Sequence, residues 1–252
     1  MNPAQAAQWA RALGPEAVIL EHRGERIQEY RNFYFDDPAL RFFRDHHDGR
    51  PRRSKDRFRQ YGSGGPKAFE IKHKDHRGRT QKFRIDASAN GNQLSEEHCE
   101  LIDEVTGVDS RALEPVLVIG YQRLLLANPD MTERATIDLG LQARSRERHV
   151  SFSPAVIIEI KQQVLDRHSP AFEAMRQVGS RPSSFSKYCA GVASCVAEAR
   201  SNRFKKLLRK APPTDLYPNF APRVIRARSG PGTGLAGIDF ADPTEEDPPC
   251  SP

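Results

Sequence analysis

Between Phe152 and Gln162 the chain reads FSPAVIIEIKQ, and the alternation in this stretch constrains the fold more than any other feature. Its β-branched residues cluster after Pro154, so a strand is predicted. Side chains alternate faces along a strand. Val156, Ile158 and Ile160 therefore share one side, and Ile157, Glu159 and Lys161 the other. An acid and a base on one face are costly to bury, and are tolerated where that face meets water or lines a wet, charged cavity. A single strand of this kind fits an ordinary solvated sheet face. The pattern, however, recurs along the chain.

Ser54–Tyr61 places Lys55, Arg57, Arg59 and Tyr61 on one face. In Ala68–Lys74, Phe69 and Ile71 oppose Glu70, Lys72 and Lys74. In Gln81–Asp86, Phe83 and Ile85 oppose Lys82, Arg84 and Asp86. With turns at Gly62–Pro66 and His76–Gly78, these three strands form a predicted antiparallel meander. Gly62–Gly65 lacks the G-K-[ST] ending and following helix of a phosphate loop, and reads as a hairpin loop. Further strands are predicted at Gln28–Phe35, rich in aromatics, and at Val116–Leu126, with Tyr121 and Arg123 on one face. Arg134–Gln142 sets Arg134, Thr136 and Asp138 against Ala135, Ile137 and Leu139.

Residues 41–84 hold 15 Lys and Arg against 5 Asp and Glu. Like charges facing each other across strands repel by about 0.2–1 kcal/mol per pair. A shared cationic face makes sense where a polyanion supplies the missing negative charge. The whole chain agrees, with 39 Lys and Arg against 33 Asp and Glu and a net charge of +6. Six to eight strands, each with a charged and an apolar face, suggest a closed or nearly closed barrel with a charged, wet interior. The expected class is α+β, an antiparallel β-barrel with helices packed outside, spanning residues 1–210.

Helices are predicted at Pro3–Leu13, from an Asp36 or Asp37 cap to about His46, at Ser95–Glu104, at Ala171–Gln177, and from a Ser183 or Ser184 cap to about Leu208. The last ends in a basic run, Arg200–Lys210, read as a solvated helix face. Ala211–Pro252 is rich in Pro, Gly and Asp, and is expected to be a mostly disordered tail. His46-His47 is read as a surface turn, since adjacent helix residues point about 100° apart and one metal cannot easily take both. Trp9 is read as packing. The four cysteines show no C-x-x-C pair, and Cys189 and Cys195 read as buried small hydrophobes. Reduced thiols, no signal peptide and no apolar run of spanning length predict a soluble, cytoplasmic protein.

Several ordered motifs carry a family resemblance: Phe33-Tyr34-Phe35-Asp36-Asp37, Lys55-x-Arg57-x-Arg59-x-Tyr61, Glu70-x-Lys72, Tyr121-x-Arg123, Arg134-x-Thr136-x-Asp138, Glu159-x-Lys161 and Phe185-Ser186-Lys187-Tyr188. Over roughly residues 25–195 the chain resembles the VTC (vacuolar transporter chaperone) domain of polyphosphate polymerases, within the triphosphate tunnel metalloenzyme group. The resemblance implies a tunnel of antiparallel strands that binds ATP and extends inorganic polyphosphate with Mn²⁺ or Mg²⁺. By position, Arg57, Arg59, Lys72, Arg123, Arg134 and Lys187 would grip phosphates in catalysis. Lys55, Lys82, Tyr121, Lys161 and Ser186 would bind substrate, and Glu159 would hold the metal. Such chemistry rests on positioning and charge neutralisation. Family members usually open with an acid-x-base strand before the first helix. Here either Ala17–Arg23 substitutes, with Glu21 and Arg23, or that strand is absent.

Triphosphatase action uses the same tunnel with water as acceptor, and a non-catalytic module for polyphosphate or nucleotide is a further alternative. Nucleic-acid binding is disfavoured, because Arg57 and Arg59 lie on the strand face opposite Phe58 and so point to phosphate contact over base stacking. The resemblance leaves open whether a membrane partner exports the product.

Overall fold

A computed structural model describes residues 1–22, 24–62, 65, 67–87 and 93–216. The elements run α1 (Pro3–Ala12), β1 (Val18–Ile19), β2 (Ile27–Asp36), α2 (Arg41–His47), β3 (Asp56–Tyr61), β4 (Lys67–Lys74), β5 (Thr80–Ala87), α3 (Glu96–Thr106), β6 (Glu114–Ala127) and β7 (Glu133–Arg144). They continue with β8 (His149–Ser151), β9 (Ile157–Gln162), α4 (Pro170–Gln177), α5 (Lys187–Cys195), α6 (Lys205–Lys210) and β10 (Thr214–Asp215).

All strands join one antiparallel sheet in the order β10-β8-β7-β6-β2-β3-β4-β5, with β9 pairing β7 and β1 pairing β6. The sheet does not close into a barrel: among the described residues, β5 pairs only with β4 and β9 only with β7. It is nevertheless strongly curled. Glu159 on β9 acts electrostatically on Lys72 on β4, although four strands separate them in the sheet.

The alternation read from the sequence sorts the two faces. On the outer face Phe33, Phe35, Phe58, Phe69 and Ile71 pack on Ile102 of α3. Further along, Leu126, Ala135, Ile137 and Val156 pack with Trp9 of α1 and Ala171 and Ala174 of α4. Trp9 is wholly buried, and its indole Nε1–H donates to Ala171 O at 3.0 Å.

The inner face is divided. Its charged half stays open, while its apolar half (Leu117, Ile119, Leu141, Ala143 and Val150) is covered by α5. Helices thus pack on both faces, where the sequence suggested only the outside. Gly191 permits the close approach of α5: a Cβ there would lie 2.6 Å from Leu117 Cδ2 and 3.0 Å from Ile119 Cδ1.

Several boundaries differ from expectation. The stretch Phe152–Gln162 is not one strand. Ser153 and Pro154 leave the ladder, and Pro has no N–H to donate to it. As a result β8 and β9 pair with opposite ends of the same edge of β7. The long helix expected to reach Leu208 breaks after Cys195. Val196 turns extended (φ −110°, ψ 115°) and the Ala197 N–H donates to Glu147 Oε2. The expected tail begins with an ordered strand, β10, whose Asp215 is gripped by Arg148 at 2.7 Å; the rest of it, from residue 217, lies outside the described residues.

The stretch Ala17–Arg23 supplies only the two-residue strand β1, and Glu21 lies outside it. β1 lies in line with β2 along the same edge of β6, Glu21 pairs with Arg26 at 3.6 Å, and Arg23 lies outside the described residues, as do Ser63, Gly64 and Pro66 of the expected Gly62–Pro66 turn. His46 is not a free surface residue. Its Nδ1–H donates to Phe42 O, and burial together with the charge of Lys55 pushes its pKa down to about 3, so it is neutral near pH 7.

The helix after β2 starts at Arg41, later than expected, and both aspartates serve it. Asp37 Oδ1 accepts from the Arg41 N–H at 2.9 Å. Asp36 accepts from the N–H groups of Phe42 (2.8 Å) and Phe43 (3.0 Å), and also from the Tyr188 hydroxyl at 2.5 Å. Burial raises the Asp36 pKa to about 6 against the pull of these donors. The fold therefore holds this proton more readily than the unfolded chain, and the group's contribution to stability falls as pH rises from about 4 to about 6. Tyr188→Phe is expected to cost about 1.5–3 kcal/mol at pH 7, where a charged acceptor loses a donor, and less at pH 4, where the carboxyl is protonated. Urea unfolding at the two pH values checks this; equal costs would mean that the hydroxyl does not serve the carboxylate.

Candidate functional site

The open half of the inner face gathers its charges in two groups, each built over a carboxylate. In the first, Arg57 on β3 donates from Nε (3.0 Å) and Nη2 (2.7 Å) to Glu70 Oε2 on β4, its register partner. Arg59 lies 3.5 Å from the same carboxylate and Arg84 on β5 3.9 Å. Three guanidinium groups thus fan out from one acid.

Tyrosines and an amide complete this seating. Arg57 Nη1 donates to the Tyr34 hydroxyl at 2.8 Å, Arg59 Nε to Asn32 Oδ1 at 3.1 Å, and Arg84 Nη1 to the Tyr61 hydroxyl at 3.1 Å. Each guanidinium also lies over a ring: Arg57 over Tyr34 at 5.6 Å, Arg59 over Tyr30 and Arg84 over Tyr61 at 5.7 Å.

The second group stands on β6, β7 and α5. Arg123 takes Asp138 bidentately, Nε to Oδ1 at 2.6 Å and Nη2 to Oδ2 at 2.8 Å. Lys187, from the first turn of α5, reaches the same carboxylate at 2.5 Å. The Asp138 side chain is fully buried. Burial alone pushes its pKa up, but Arg123 and Lys187 outweigh that and hold it below the usual carboxylate range. Tyr121 lies beneath both cations, with Lys187 Nζ 4.8 Å and Arg123 5.2 Å from the ring centre, and it stacks on Tyr30 at 5.2 Å. Burial opposes the charge of Arg57 and Arg123, yet their acidic and phenolic neighbours raise both pKa values, so both stay charged.

A run of lysines continues the face. Lys55 Nζ donates to Ser186 Oγ, the N-cap of α5, at 2.9 Å. Burial lowers the pKa of Lys55. Lys72 stands across the ladder from Lys82, and its pKa is lowered by burial and then by Lys55 and Lys82, with Glu159 acting against them.

Glu159 and Lys161 pair at 3.4 Å on β9, both more than half exposed (52% and 57%). Arg134 is exposed at the end of β7, in register with Lys161. The structure thus brings Arg57, Arg59, Arg123, Lys187, Tyr121, Lys55, Ser186, Lys72 and Lys82 to one face. Arg134, Lys161 and Glu159 stand at its rim.

Sequence reasoning did not identify the residues that seat the cations as their seats: Glu70, Asp138, Asn32, Tyr30 and Tyr34. Arg84 was also passed over as a ligand, although its strand alternation signals it as clearly as that of Lys82. The seating acids carry a weaker signal, since strand alternation gives their face but not their partners.

The divalent metal implied by the resemblance can be tested against these donors. Among the described residues no group of three His, Cys, Asp or Glu side chains is placed to hold an ion. Glu70 and Asp138 are already occupied by cations. Glu159, half exposed with one loose partner, fits the single carboxylate of a Mg²⁺ or Mn²⁺ held mainly by phosphate oxygens and water.

Chemically, the face offers permanently charged guanidinium forks, two desolvated ammonium groups and tyrosine hydroxyls. This is a donor set for chains of phosphate oxygens. Among the described residues no helix is long and apolar enough to cross a membrane.

Comparison with solved structures finds the same antiparallel, sheet-rich α+β fold in a putative adenylyl cyclase from Hippeastrum, with TM-score 0.52 and 14% identity over 79% of this chain and 94% of that one. This is the fold of triphosphate tunnel proteins. A putative adenylate cyclase from Vibrio parahaemolyticus matches with TM-score 0.44 and 12% identity over 75% and 91% of the two chains. One from Bacillus halodurans matches with TM-score 0.41 and 12% identity over 71% and 88%. No curated protein matches the chain in sequence. The family model of the VTC domain spans residues 1–196, most of the sequence, and the chain belongs to the VTC domain family.

Proposed function

We propose that the inner face binds the triphosphate of ATP and transfers its γ-phosphoryl group to the end of an inorganic polyphosphate chain. The observation that carries this reading is the convergence of Arg57, Arg59, Arg123 and Lys187 on one face, each seated by Glu70 or Asp138, with Arg84 beside them on Asp86 and Tyr61. A terminal phosphate oxygen of the chain attacks the γ-phosphorus in line. The bond from that phosphorus to the bridging oxygen breaks, and ADP leaves with the electron pair. The guanidinium groups hold the equatorial oxygens where charge builds, and their seating spares reorganisation during transfer. Lys187 and Lys55, on either side of the start of α5, would hold the remaining phosphates. Glu159 would hold Mg²⁺ or Mn²⁺, which supplies charge neutralisation between phosphate oxygens.

A second reading has water as the acceptor. It is favoured by the Hippeastrum fold neighbour, which is named for a dominant triphosphatase activity. Incubation with ATP and Mn²⁺, with products resolved by size, separates the two. A ladder of long polyphosphate is expected; orthophosphate alone would mark hydrolysis, and no product would overturn both. Arg59→Ala and Arg57→Ala are each expected to lower kcat about 10²–10³-fold with the fold retained, the scale for losing one preorganised charge stabiliser. Near-wild-type turnover in both would overturn the assignment of the face.

Lys55 adds a pH signature. Burial lowers its pKa, so in the free protein its charge is lost before that of an ordinary lysine, near about 10.4. Affinity for tripolyphosphate is therefore expected to fall with rising pH from below that range. Lys55→Arg, charged throughout, is expected to move the fall upward. An unmoved profile would exclude Lys55 as a phosphate ligand.

A further inference from the structure

A second cationic site stands apart from the inner face. Between the face of α2 that carries Arg41, Phe42 and Asp45, the segment entering β3 and the C-terminal end of α3 lies a cleft of about 340 Å³, within the usual size range of small-ligand sites. Arg41, Arg50, Arg52 and Arg53 line it, with His73 at its wall and Asp45 as its one acid.

The four guanidinium groups make no contact ion pair with a carboxylate among the described residues; Asp45 acts on Arg41 and Arg50, and Asp48 on Arg50, only at longer range. Within the described residues, none of them has a carboxylate oxygen inside 4.0 Å among the ion pairs formed. Their hydrogen bonds are to backbone carbonyls. Arg52 Nη2 donates to Thr106 O at 3.2 Å, and Arg53 Nη1 to Arg50 O at 2.5 Å. These bonds fix two of the forks at the rim of the cleft and leave most of their N–H groups unused.

His73 adds shape more than charge. It is 6% exposed and shares Nδ1 with Ser54 Oγ at 2.7 Å, and burial and then Arg52 lower its pKa. Burial likewise disfavours the charge of Asp45, against the pull of Arg41 and Arg50. The cleft therefore carries a clear positive excess that the protein's own acids do not cancel.

Arginine forks match phosphate oxygens bidentately, and four around one cleft exceed what a single monoanion needs. We infer that this cleft is a binding site for a soluble oligophosphate, with two or more linked phosphoryl groups, separate from the inner face. It lies on the other side of the sheet from the inner face: His73 shares the outer side of β4 with Phe69 and Ile71, opposite Glu70 and Lys72. Its outer wall is α3, which packs behind β3 and β4, and only Arg53 lies in the strand file that continues to Lys55. The inference does not depend on the inner face being catalytic.

The test is calorimetric titration of the full chain with inorganic tripolyphosphate. Arg41→Glu/Arg50→Glu is the informative variant. Both residues are exposed, and a glutamate at the first position of α2 suits the helix dipole, so the fold is expected to survive. One binding equivalent should disappear or weaken by at least about a hundredfold, since two charge-assisted donors are lost and two acids added. Arg123→Ala, on the inner face, should leave that equivalent in place. The milder Arg50→Gln should weaken the same equivalent about tenfold, which keeps the test decisive if the double variant folds poorly. Unchanged stoichiometry and affinity in Arg50→Gln and the double variant, or loss of all binding in Arg123→Ala, would overturn the inference.

Discussion

The buried carboxylate of Asp36 is the joint on which the site depends. It ends β2, and its oxygens take the free N–H groups at the start of α2 as well as the hydroxyl of Tyr188. One acid thereby fixes two helices to one strand. Tyr188 is the second residue of α5, so the bond sets where that helix begins above the inner face. Its neighbour Lys187 then falls onto Asp138, and the N-cap Ser186 falls onto Lys55. Gly191 completes the arrangement by letting the helix sink onto Leu117 and Ile119. A carboxylate buried this deeply is costly, and it is retained because its donors are otherwise unpaired helix-terminal groups.

The same economy governs the charges themselves. A face crowded with cations is unstable in isolation, since like charges across strands repel. Glu70 and Asp138 relieve this from beneath, each shared by more than one cation, while Tyr30, Tyr34, Tyr61 and Tyr121 give the guanidinium groups aromatic faces and hydroxyl acceptors. The acids do not cancel the face. Glu70 serves three arginines and Asp138 an arginine and a lysine, so net positive charge is left over, aimed outward and held still. On the proposed reading, that residue of charge, fixed in geometry, is what an incoming phosphate chain would meet.

Much of this was legible in the sequence, and the reasons are physical. Alternation in β3, β4, β5 and β9 assigned faces correctly, because a period of two leaves no ambiguity once one face is apolar. Pairing of β3 with β4 and of β4 with β5 followed from their turns. The break at Ser153-Pro154 was hidden by the apolar run around it, and the end of α5 at Cys195 by a helix-compatible sequence that tertiary bonds interrupt. Barrel closure was overread. Alternation tells which face is wet, but says nothing of whether the first and last columns meet. At the site, the cations were visible as a pattern. Their seats were not, because alternation puts Tyr30, Tyr34 and Glu70 on the charged face without telling which side chain pairs with which.

The cations of the inner face divide by chemistry along β3. Arg59 and Arg57 come first, tied to Glu70, Asn32 and Tyr34, and neither can lose its proton near neutral pH. Lys55 follows with only the Ser186 hydroxyl for company, and with Lys72 beside it has no carboxylate in contact among the described residues. Burial of these ammonium groups outweighs the acids and phenols near them, which is why their pKa values fall. A phosphate chain lying along the strand would therefore be held rigidly at one end by forks of fixed charge and direction. At the other it would meet point charges that gain most from its arrival. Fixed forks suit the phosphoryl group that must be oriented for transfer, while under-compensated lysines suit the part of the chain that must be gripped without registry. On the proposed reading, the order of residue types from Arg59 to Lys55 would give the bound chain a direction, with the reacting end over Arg57 and Arg59 and the non-reacting phosphates toward Lys55 and Lys72.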